Sequence, residues 1–361
     1  MPCARAYLRL HLRPRPRAPL RYAIYGHMSA PTAHRRADLC GVTKMYFTMQ
    51  IILGSGGAIG RPLARALADY TDHVICASRT PHALPTAGGT TFEHRTVDLL
   101  DADAVRRAVA GCEVAYLTAG LRYRTAVWRA EWPRLIRNVI AAVRAANAKL
   151  VFFDNVYALG AAGYANMTAA SPLRPTSAKG EVRRRVLDDL AAARAEHGLR
   201  IAVARAADFY GPGIGSSLLQ EMVVKRHLAG SSGLWPGPTD QPHSFTYTPD
   251  AARALARLGN DARAWGRTWH LPTDPRPWTL TDFATALGER TGRPARVSTL
   301  PKLVFWLLAH FSADLRELYD VRRQYDRPYR FVSQDFTDTF GLAATPYEEG
   351  LATVIGEATA G

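Results

Sequence analysis

Short apolar runs alternate with helical patterns along most of the chain after residue 48. The runs lie at residues 50–53, 73–77, 92–97, 114–118, 150–153 and 200–204. Helical patterns fall between or after them, at residues 62–69, 104–110, 125–147 and 177–197. Short apolar runs are typical of parallel strands that are buried on both faces. This alternation predicts an α/β fold, a doubly wound parallel sheet of the Rossmann type, with ligands at the carboxyl ends of the strands.

The alternation weakens after about residue 211. Glycine and proline cluster at residues 211–213 and 230–243, which indicates loops. Helices are predicted between and after these loops, at residues 218–228 and 250–259, and another begins near Thr281. The chain therefore divides into a sheet domain over residues 49–210, completed by segments near 244–271, and a different region over residues 211–361.

The first apolar run leads directly into a glycine-rich turn, GSGGAIG at residues 54–60. Gly54 suits a tight turn, Gly57 lets backbone approach a pyrophosphate, and Gly60 lets the helix pack on the strand. Free N–H groups at the start of the following helix can hold an anion. Since a strand precedes the turn and a helix follows it, we predict dinucleotide binding rather than a turn without a ligand.

The end of the second run indicates which dinucleotide is preferred. An NAD site usually has an acidic residue there to bond the ribose 2′-hydroxyl. This chain has Ser78 and Arg79 instead, which suit a 2′-phosphate. We therefore expect NADP in preference to NAD, although Arg79 as a solvated loop residue is the alternative. The predicted cofactor contacts are Gly54, Ser55, Gly57, Ala58, Ile59, Gly60, Ser78, Arg79, Asp98, Leu99, Thr118, Ala119, Gly120 and Lys179.

Composition and charge exclude several classes of protein. The chain of 361 residues is 47% hydrophobic and 21% charged, as expected for a globular protein. Its net charge is +15, but residues 1–48 hold nine basic residues and one acid, so a polyanionic partner is not required. Four cysteines without CxxC spacing predict no metal site. The apolar run Leu303–Phe311 is too short to span a bilayer.

These observations set the expected location and partners. We expect a cytoplasmic protein with a small-molecule substrate, no nucleic-acid partner and no membrane partner. Residues 1–48 lack the apolar core of a secretory signal and contain several prolines. We interpret them as an extension that is disordered or precedes the true start near Met49.

Several motifs together make the chain resemble the extended short-chain dehydrogenases/reductases, specifically the NAD-dependent epimerase/dehydratase family, in an atypical form. They are GSGGAIG (54–60), Asp98–Leu99, Leu117–Gly120, DNVYALG (154–160), Lys179, ARAADFYGPG (204–213) and Ser244–Asp250. The resemblance implies that residues 211–361 form mainly a smaller, mixed substrate lobe, and that a homodimer is plausible. It further implies an oxidoreductase or epimerase-like enzyme for a carbonyl or hydroxyl substrate, with a nucleotide sugar as one candidate.

The chain departs from the family's catalytic pattern. Members usually carry a Ser pair after the fifth strand and a YxxxK pair on the next helix. Here Asp154 and Asn155 take the place of the Ser pair, and Pro175 stands four residues before Lys179. The usual tyrosine that moves a proton is therefore absent.

Three alternatives follow from this departure. Tyr157 can replace the missing acid, with Asn155 orienting the substrate and Lys179 binding the ribose; Tyr164 and Tyr210 lie near other motif positions. Asp154 can instead carry the proton if burial raises its pKa. The third alternative is an NADP-binding regulator or scaffold without catalysis.

The region after residue 211 also offers candidate substrate contacts, namely Trp235, His243, Phe245, Tyr247 and Arg276. Aromatic and basic side chains suit a nucleotide sugar, because they stack on bases and pair with phosphate. We favour the simpler interpretation that the aromatic residues are core and Arg276 is exposed.

Overall fold

A computed structural model describes residues 48–215 and 217–360. The predicted extension lies outside the described residues, apart from Thr48. The strands are β1 (Met49–Leu53), β2 (His73–Ser78), β3 (Thr91–Thr96), β4 (Val114–Leu117), β5 (Lys149–Asp154), β6 (Ile201–Arg205), β7 (Asp208–Tyr210), β8 (Gly233–Trp235), β9 (Phe245–Tyr247), β10 (Thr268–His270) and β11 (Val297–Thr299). The helices are α1 (Gly60–Leu67), α2 (Ala102–Val109), α3 (Thr125–Ala145), α4 (Ala178–His197), α5 (Lys225–Leu228, after a π-helical turn at Gln220–Val224), α6 (Thr248–Asn260), α7 (Leu280–Thr291), α8 (Lys302–Phe311), α9 (Ala313–Asp320), α10 (Gln334–Phe340) and α11 (Tyr347–Ala360).

A seven-stranded parallel sheet organises the fold. Its strand order is β10-β6-β5-β4-β1-β2-β3, so the order reverses between β1 and β4. Ligands of doubly wound sheets bind at the carboxyl ends of the strands beside such a reversal. Of the later segments assigned to the sheet from sequence, β10 joins it, whereas β9 pairs with β7 in a separate two-stranded sheet.

Helices cover both faces of the sheet, because its central strands are apolar on both faces. One core packs α2, α3 and α4 against the sheet around residues such as Ile51, Leu117 and Phe152. The other packs α1, α6 and α10 against it around residues such as Ile52 and Tyr116. The predicted α/β fold class is therefore confirmed.

A smaller mixed lobe follows the sheet and has its own aromatic core, which includes Tyr210, Trp235, Phe245 and Tyr347. Strands β8 and β11 pair in this lobe. Helices α8 and α9 pack against each other and follow β11 directly. Among the described residues, no helix is both long and apolar enough to cross a membrane.

Candidate cofactor and active site

The glycine-rich turn is held tightly between β1 and α1. The N–H groups of Gly54 and Ser55 donate to the carbonyl of Ala77 at the end of β2, at 2.9 and 3.0 Å. Gly54 has φ +105°, and a Cβ at this position would lie 2.5 Å from the backbone of Ala119. A Cβ on Gly60 would overlap the Gly54 carbonyl oxygen. Both positions therefore require glycine for conformation or close packing.

Gly57 differs from these two glycines. A Cβ there would meet only the Gly54 oxygen, at 3.5 Å, and Gly57 is exposed. Its backbone therefore lies open at the edge of a cavity of about 300 Å³. The cavity is lined by Gly54, Gly56, Gly57, Ala77, Ser78, Arg79, Thr80, Val97, Asp98, Leu99, Leu100, Ala119, Gly120, Leu121, Glu131 and Leu135.

The structure divides the predicted cofactor residues into two groups. Eight line the cavity: Gly54, Gly57, Ser78, Arg79, Asp98, Leu99, Ala119 and Gly120. The others do not line it: Ser55, Ile59, Gly60 and Thr118 are buried, Ala58 is half-buried, and Lys179 lies elsewhere. The hydroxyl of Thr118 donates to the Gly54 carbonyl at 3.3 Å, so it supports the turn from below.

The end of β2 places a cation at the rim of the cavity. Arg79 is exposed and has no ion-pair partner among the described residues. The Ser78 hydroxyl, by contrast, donates to the Thr80 carbonyl at 2.7 Å and lies 2.9 Å from His94 Nε2. Arg79 is therefore the predicted phosphate contact that remains free, whereas Ser78 already shapes the loop.

Tyr157 lies in a half-buried polar cluster beyond the end of β5. Its hydroxyl is 3.0 Å from the hydroxyl of Tyr123, and its ring stacks on Trp128. The Asn155 side-chain oxygen accepts from the Tyr157 N–H at 3.1 Å, which leaves the Asn155 side-chain nitrogen for another partner. Burial, together with the charge of nearby Asp208, raises the pKa of Tyr157, so its hydroxyl stays protonated at neutral pH.

Lys179, in the first turn of α4, is completely buried and bound to α9. Its ammonium group donates to the carboxylate and the carbonyl of Glu317 and to the Thr125 hydroxyl. The same ammonium lies 4.5 Å from the ring centre of Tyr123. Tyr123 thus connects Tyr157 to Lys179, and the three side chains form one cluster.

Asp154 does not join this cluster. It is fully buried at the end of β5, where Arg183 donates to one carboxylate oxygen at 2.7 Å and Arg205 to the other at 3.1 Å. A carboxylate held between two guanidinium groups is stabilised in its charged form. The geometry therefore argues against Asp154 as the proton carrier and favours a role in anchoring α4 and β6 to β5.

Comparisons with known proteins were made on this basis. The model of the family described as "NAD dependent epimerase/dehydratase family" matches residues 50–269, which is more than half of the chain. The chain belongs to this family. A search of curated proteins found no match.

Solved structures share the fold of this epimerase/dehydratase-family chain at low sequence identity. A UDP-glucuronic acid 4-epimerase from Bacillus cereus, in complex with NAD, has 14% identity and a TM-score of 0.69, covering 87% of this chain and 99% of its own. DesIV, a dTDP-glucose 4,6-dehydratase from Streptomyces venezuelae with NAD and TYD bound, has 16% identity and a TM-score of 0.68, covering 87% and 97%. An epimerase from Methanothermobacter thermautotrophicus has 14% identity and a TM-score of 0.70, covering 87% and 92%.

Pro175, which stands where the YxxxK pattern has its tyrosine, lies next to Tyr157 in the structure. A Cβ on Gly180 would overlap the Tyr157 carbonyl oxygen and lie 2.9 Å from the Pro175 side chain. Tyr157 and Pro175 therefore pack against the same point of α4, one residue after Lys179. The substituted position and the alternative tyrosine are neighbours in space.

Sequence reasoning missed Tyr123 and Glu317. Tyr123 follows Gly120 by three residues, after β4, and this position at the carboxyl end of a central strand was an available signal. Glu317 gave no such signal, because α9 lies far along the chain from Lys179.

The candidate substrate contacts Trp235, His243, Phe245 and Tyr247 are all buried. Arg276 is partly exposed and pairs with Asp274 and Glu348.

Proposed function

We propose that the protein is an NADP-preferring oxidoreductase or epimerase-like enzyme acting on a carbonyl or hydroxyl substrate. The observation that carries this proposal is the cavity beside Gly57, with the free cation of Arg79 at its rim. The open backbone at Gly57 fits a pyrophosphate, which a side chain there would displace. Solved structures of this fold contain NAD, which supports a nicotinamide cofactor. The preference for NADP rests on Arg79.

In this proposal the glycine turn and the start of α1 bind the pyrophosphate, and Arg79 pairs with the 2′-phosphate. Asp98 and Leu99 line the same cavity and hold the other end of the adenosine. When bound, the cofactor supplies or accepts a hydride. Lys179 reaches the nicotinamide ribose only after it exchanges Glu317 for ribose hydroxyls, because its ammonium is fully engaged in the present arrangement.

Tyr157 is the proposed acid and base for the substrate oxygen. Its hydroxyl is protonated at neutral pH and can donate a hydrogen bond to a carbonyl oxygen, but the raised pKa of Tyr157 opposes full proton transfer until negative charge develops on that oxygen. Tyr123, 3.0 Å away, donates a hydrogen bond to the Tyr157 phenolate that remains when the proton has passed to the substrate, and its ring lies against the Lys179 cation. The free side-chain nitrogen of Asn155 orients the substrate oxygen. UDP- and dTDP-sugars are the first substrates to test, because relatives of this fold bind them.

Titration of the full chain with NADPH and NADH tests the cofactor site. We expect NADPH to bind more tightly, and Arg79→Asp to remove the preference. Arg185→Asp, at an exposed position of α4, is the matched charge control and should leave both affinities unchanged. Equal or tighter binding of NADH by the unmodified chain would overturn the NADP assignment.

A second measurement tests the chemistry. Tyr157→Phe should abolish turnover of an accepted substrate and retain NADPH binding, whereas Tyr164→Phe, at a buried tyrosine, should retain both. Loss of turnover in the Tyr164 variant alone would reassign the acid.

The alternative is an NADP-binding regulator without catalysis. It is favoured by the same ion pair that engages Lys179, together with Pro175 in place of the usual tyrosine. Tight NADPH binding combined with no hydride exchange on any sugar nucleotide or small carbonyl compound would support the regulator over the enzyme.

A further inference from the structure

Helix α8 is apolar and almost entirely exposed. Only Phe305 and Ala309 are buried along its ten residues. Its exposed large side chains are Leu303 (73%), Val304 (41%), Trp306 (44%), Leu307 (50%), Leu308 (41%) and Phe311 (83%). Outside α8, Val332 is the one other large apolar residue exposed to this degree among the described residues. A contiguous exposed patch of this kind marks an interaction surface.

The sequence around α8 is basic between Glu289 and Asp314. Residues 290–313 contain Arg290, Arg293, Arg296 and Lys302 and no aspartate or glutamate. At the other end of the helix, the Arg316 guanidinium donates to the His310 carbonyl at 2.8 Å, which places a further cation beside the apolar patch. The nearest acids along the chain after α8 are engaged: Asp314 pairs with Arg124, and Glu317 with Lys179.

We propose that α8 is a docking surface for an anionic lipid bilayer. An apolar helix with tryptophan and phenylalanine on its exposed side and cations at its margins matches a helix that lies in the membrane interface. Anionic lipids complement Lys302 and Arg316 at the two ends of α8, and the hydrocarbon boundary accepts the leucines and Phe311. The sequence-based expectation of no membrane partner rested on the length needed to span a bilayer, which does not bear on a helix lying in its surface.

A second copy of the chain fits this surface less well. A two-fold dimer through α8 would bring the same patch of both copies together. Each copy would then place Lys302 and Arg316 near those of its partner, and α8 itself holds no carboxylate to compensate. Charge complementarity therefore favours the lipid surface.

The buried face of α8 packs on α9, the helix that holds Lys179. The ring of Phe305 contacts Tyr319 of α9, at 5.2 Å between ring centres. Glu317, on the same short helix as Tyr319, holds Lys179. Membrane contact through the exposed face of α8 would therefore act on the helix pair α8–α9 that holds Lys179.

Co-sedimentation of the full chain with vesicles tests the proposal. The vesicles are phosphatidylcholine alone or phosphatidylcholine mixed with phosphatidylglycerol. We expect binding to the mixed vesicles, weakened about tenfold by the triple change Leu303→Gln, Leu307→Gln and Phe311→Gln. Val332→Gln, at the exposed apolar residue outside α8, is the control and should not weaken binding. Residues 1–48 are identical in all variants, so their positive charge cannot produce the difference.

Insertion of α8 itself is measured by fluorescence quenching with brominated phosphatidylglycerol. We expect the brominated lipid to quench the tryptophan fluorescence of the unmodified chain. In Trp306→Phe, the part of this quenching that comes from Trp306 should disappear. The substituted residues are exposed, so the melting temperatures of all variants should be unchanged.

Vesicle binding that is the same in the triple variant and the unmodified chain would overturn the proposal. A dimer detected by light scattering that the triple variant dissociates, without vesicle binding, would assign the surface to a second copy instead.

Discussion

The ammonium group of Lys179, in α4, is bound by the carboxylate of Glu317, which lies 138 residues later in α9. The same carboxylate accepts from the N–H and the hydroxyl of Thr125 at the start of α3, at 2.9 and 2.7 Å. Two residues of one short helix thus hold the beginnings of α3 and α4, because Asp320 also accepts from the N–H groups of Ala178 and Lys179. This arrangement controls whether Lys179 is available to a ligand.

Glu317→Gln should affect stability and cofactor binding in opposite directions. Removal of the carboxylate leaves a buried ammonium without its main partner, which costs about 3–5 kcal/mol of unfolding free energy. It also frees Lys179 for the ribose, so we expect NADPH to bind about threefold to tenfold more tightly. Denaturant unfolding and NADPH titration measure the two effects.

Asp314→Asn is the control for this change, since Asp314 lies on the same helix but is largely exposed. It should leave both quantities nearly unchanged. Weaker NADPH binding by Glu317→Gln would show that Lys179 does not contact the cofactor.

Asp154→Asn should lower the free energy of unfolding, and not only the rate of catalysis. The substitution leaves the buried guanidinium groups of Arg183 and Arg205 without their shared carboxylate, which costs about 3–5 kcal/mol. The exposed Asp188→Asn should change the unfolding free energy by less than about 0.5 kcal/mol. Urea unfolding compares the two. A stable Asp154→Asn variant that binds NADPH but has lost turnover would return Asp154 to the role of proton carrier.

Substitutions at two glycines of the same turn should have different effects, one on stability and the other on NADPH binding. Gly54→Ala forces a Cβ against the Ala119 backbone at positive φ, so we expect a loss of more than about 2 kcal/mol of stability. Gly57→Ala introduces no such overlap and should fold with nearly unchanged stability. Its methyl group nevertheless occupies the open edge of the cavity, and NADPH affinity should fall at least about tenfold. Thermal melting and titration measure these effects, and unchanged NADPH affinity in Gly57→Ala would place the pyrophosphate elsewhere.

Acid stability should depend on His270, at the edge of the sheet. Burial, assisted by the Arg205 charge, lowers the pKa of His270 to about 3. Its value in the unfolded chain is about 6.5, so the unfolded state binds more protons between these two pH values. Stability therefore falls as pH falls through this window, by up to about 1.4 kcal/mol per pH unit from this one group.

His270→Gln removes the titrating group and should flatten the pH dependence of the unfolding free energy between about pH 6.5 and 3. His197→Gln, at an exposed histidine, should retain the slope of the unmodified chain. Equal slopes in all three proteins would show that His270 takes up its proton without unfolding.

The fold could be predicted from sequence, and the proposed cofactor site could be located, because both depend on local signals. Strand periodicity and the glycine spacing lie within short segments, and the cavity forms where β1, β2 and β4 end. Arg79 could be located because it directly follows a recognisable strand.

The catalytic end could not be predicted in the same way. The environment of Asp154 depends on Arg183 and Arg205, which come from two other elements. The expected rise of its pKa assumed burial without ionic partners. Lys179 was correctly placed on a helix, but its partner comes from a helix whose sequence contains no motif.

The position of α9 in the chain has a consequence for synthesis on the ribosome. The strands and glycine turn that surround the cavity are complete once β5 has emerged, whereas Lys179 stays without its carboxylate until α9 follows. A nascent chain can therefore form the dinucleotide cavity long before the buried ammonium is neutralised. In the proposed function, free cofactor is then the available ligand for that cation, and its presence during translation would favour folding of the unfinished domain.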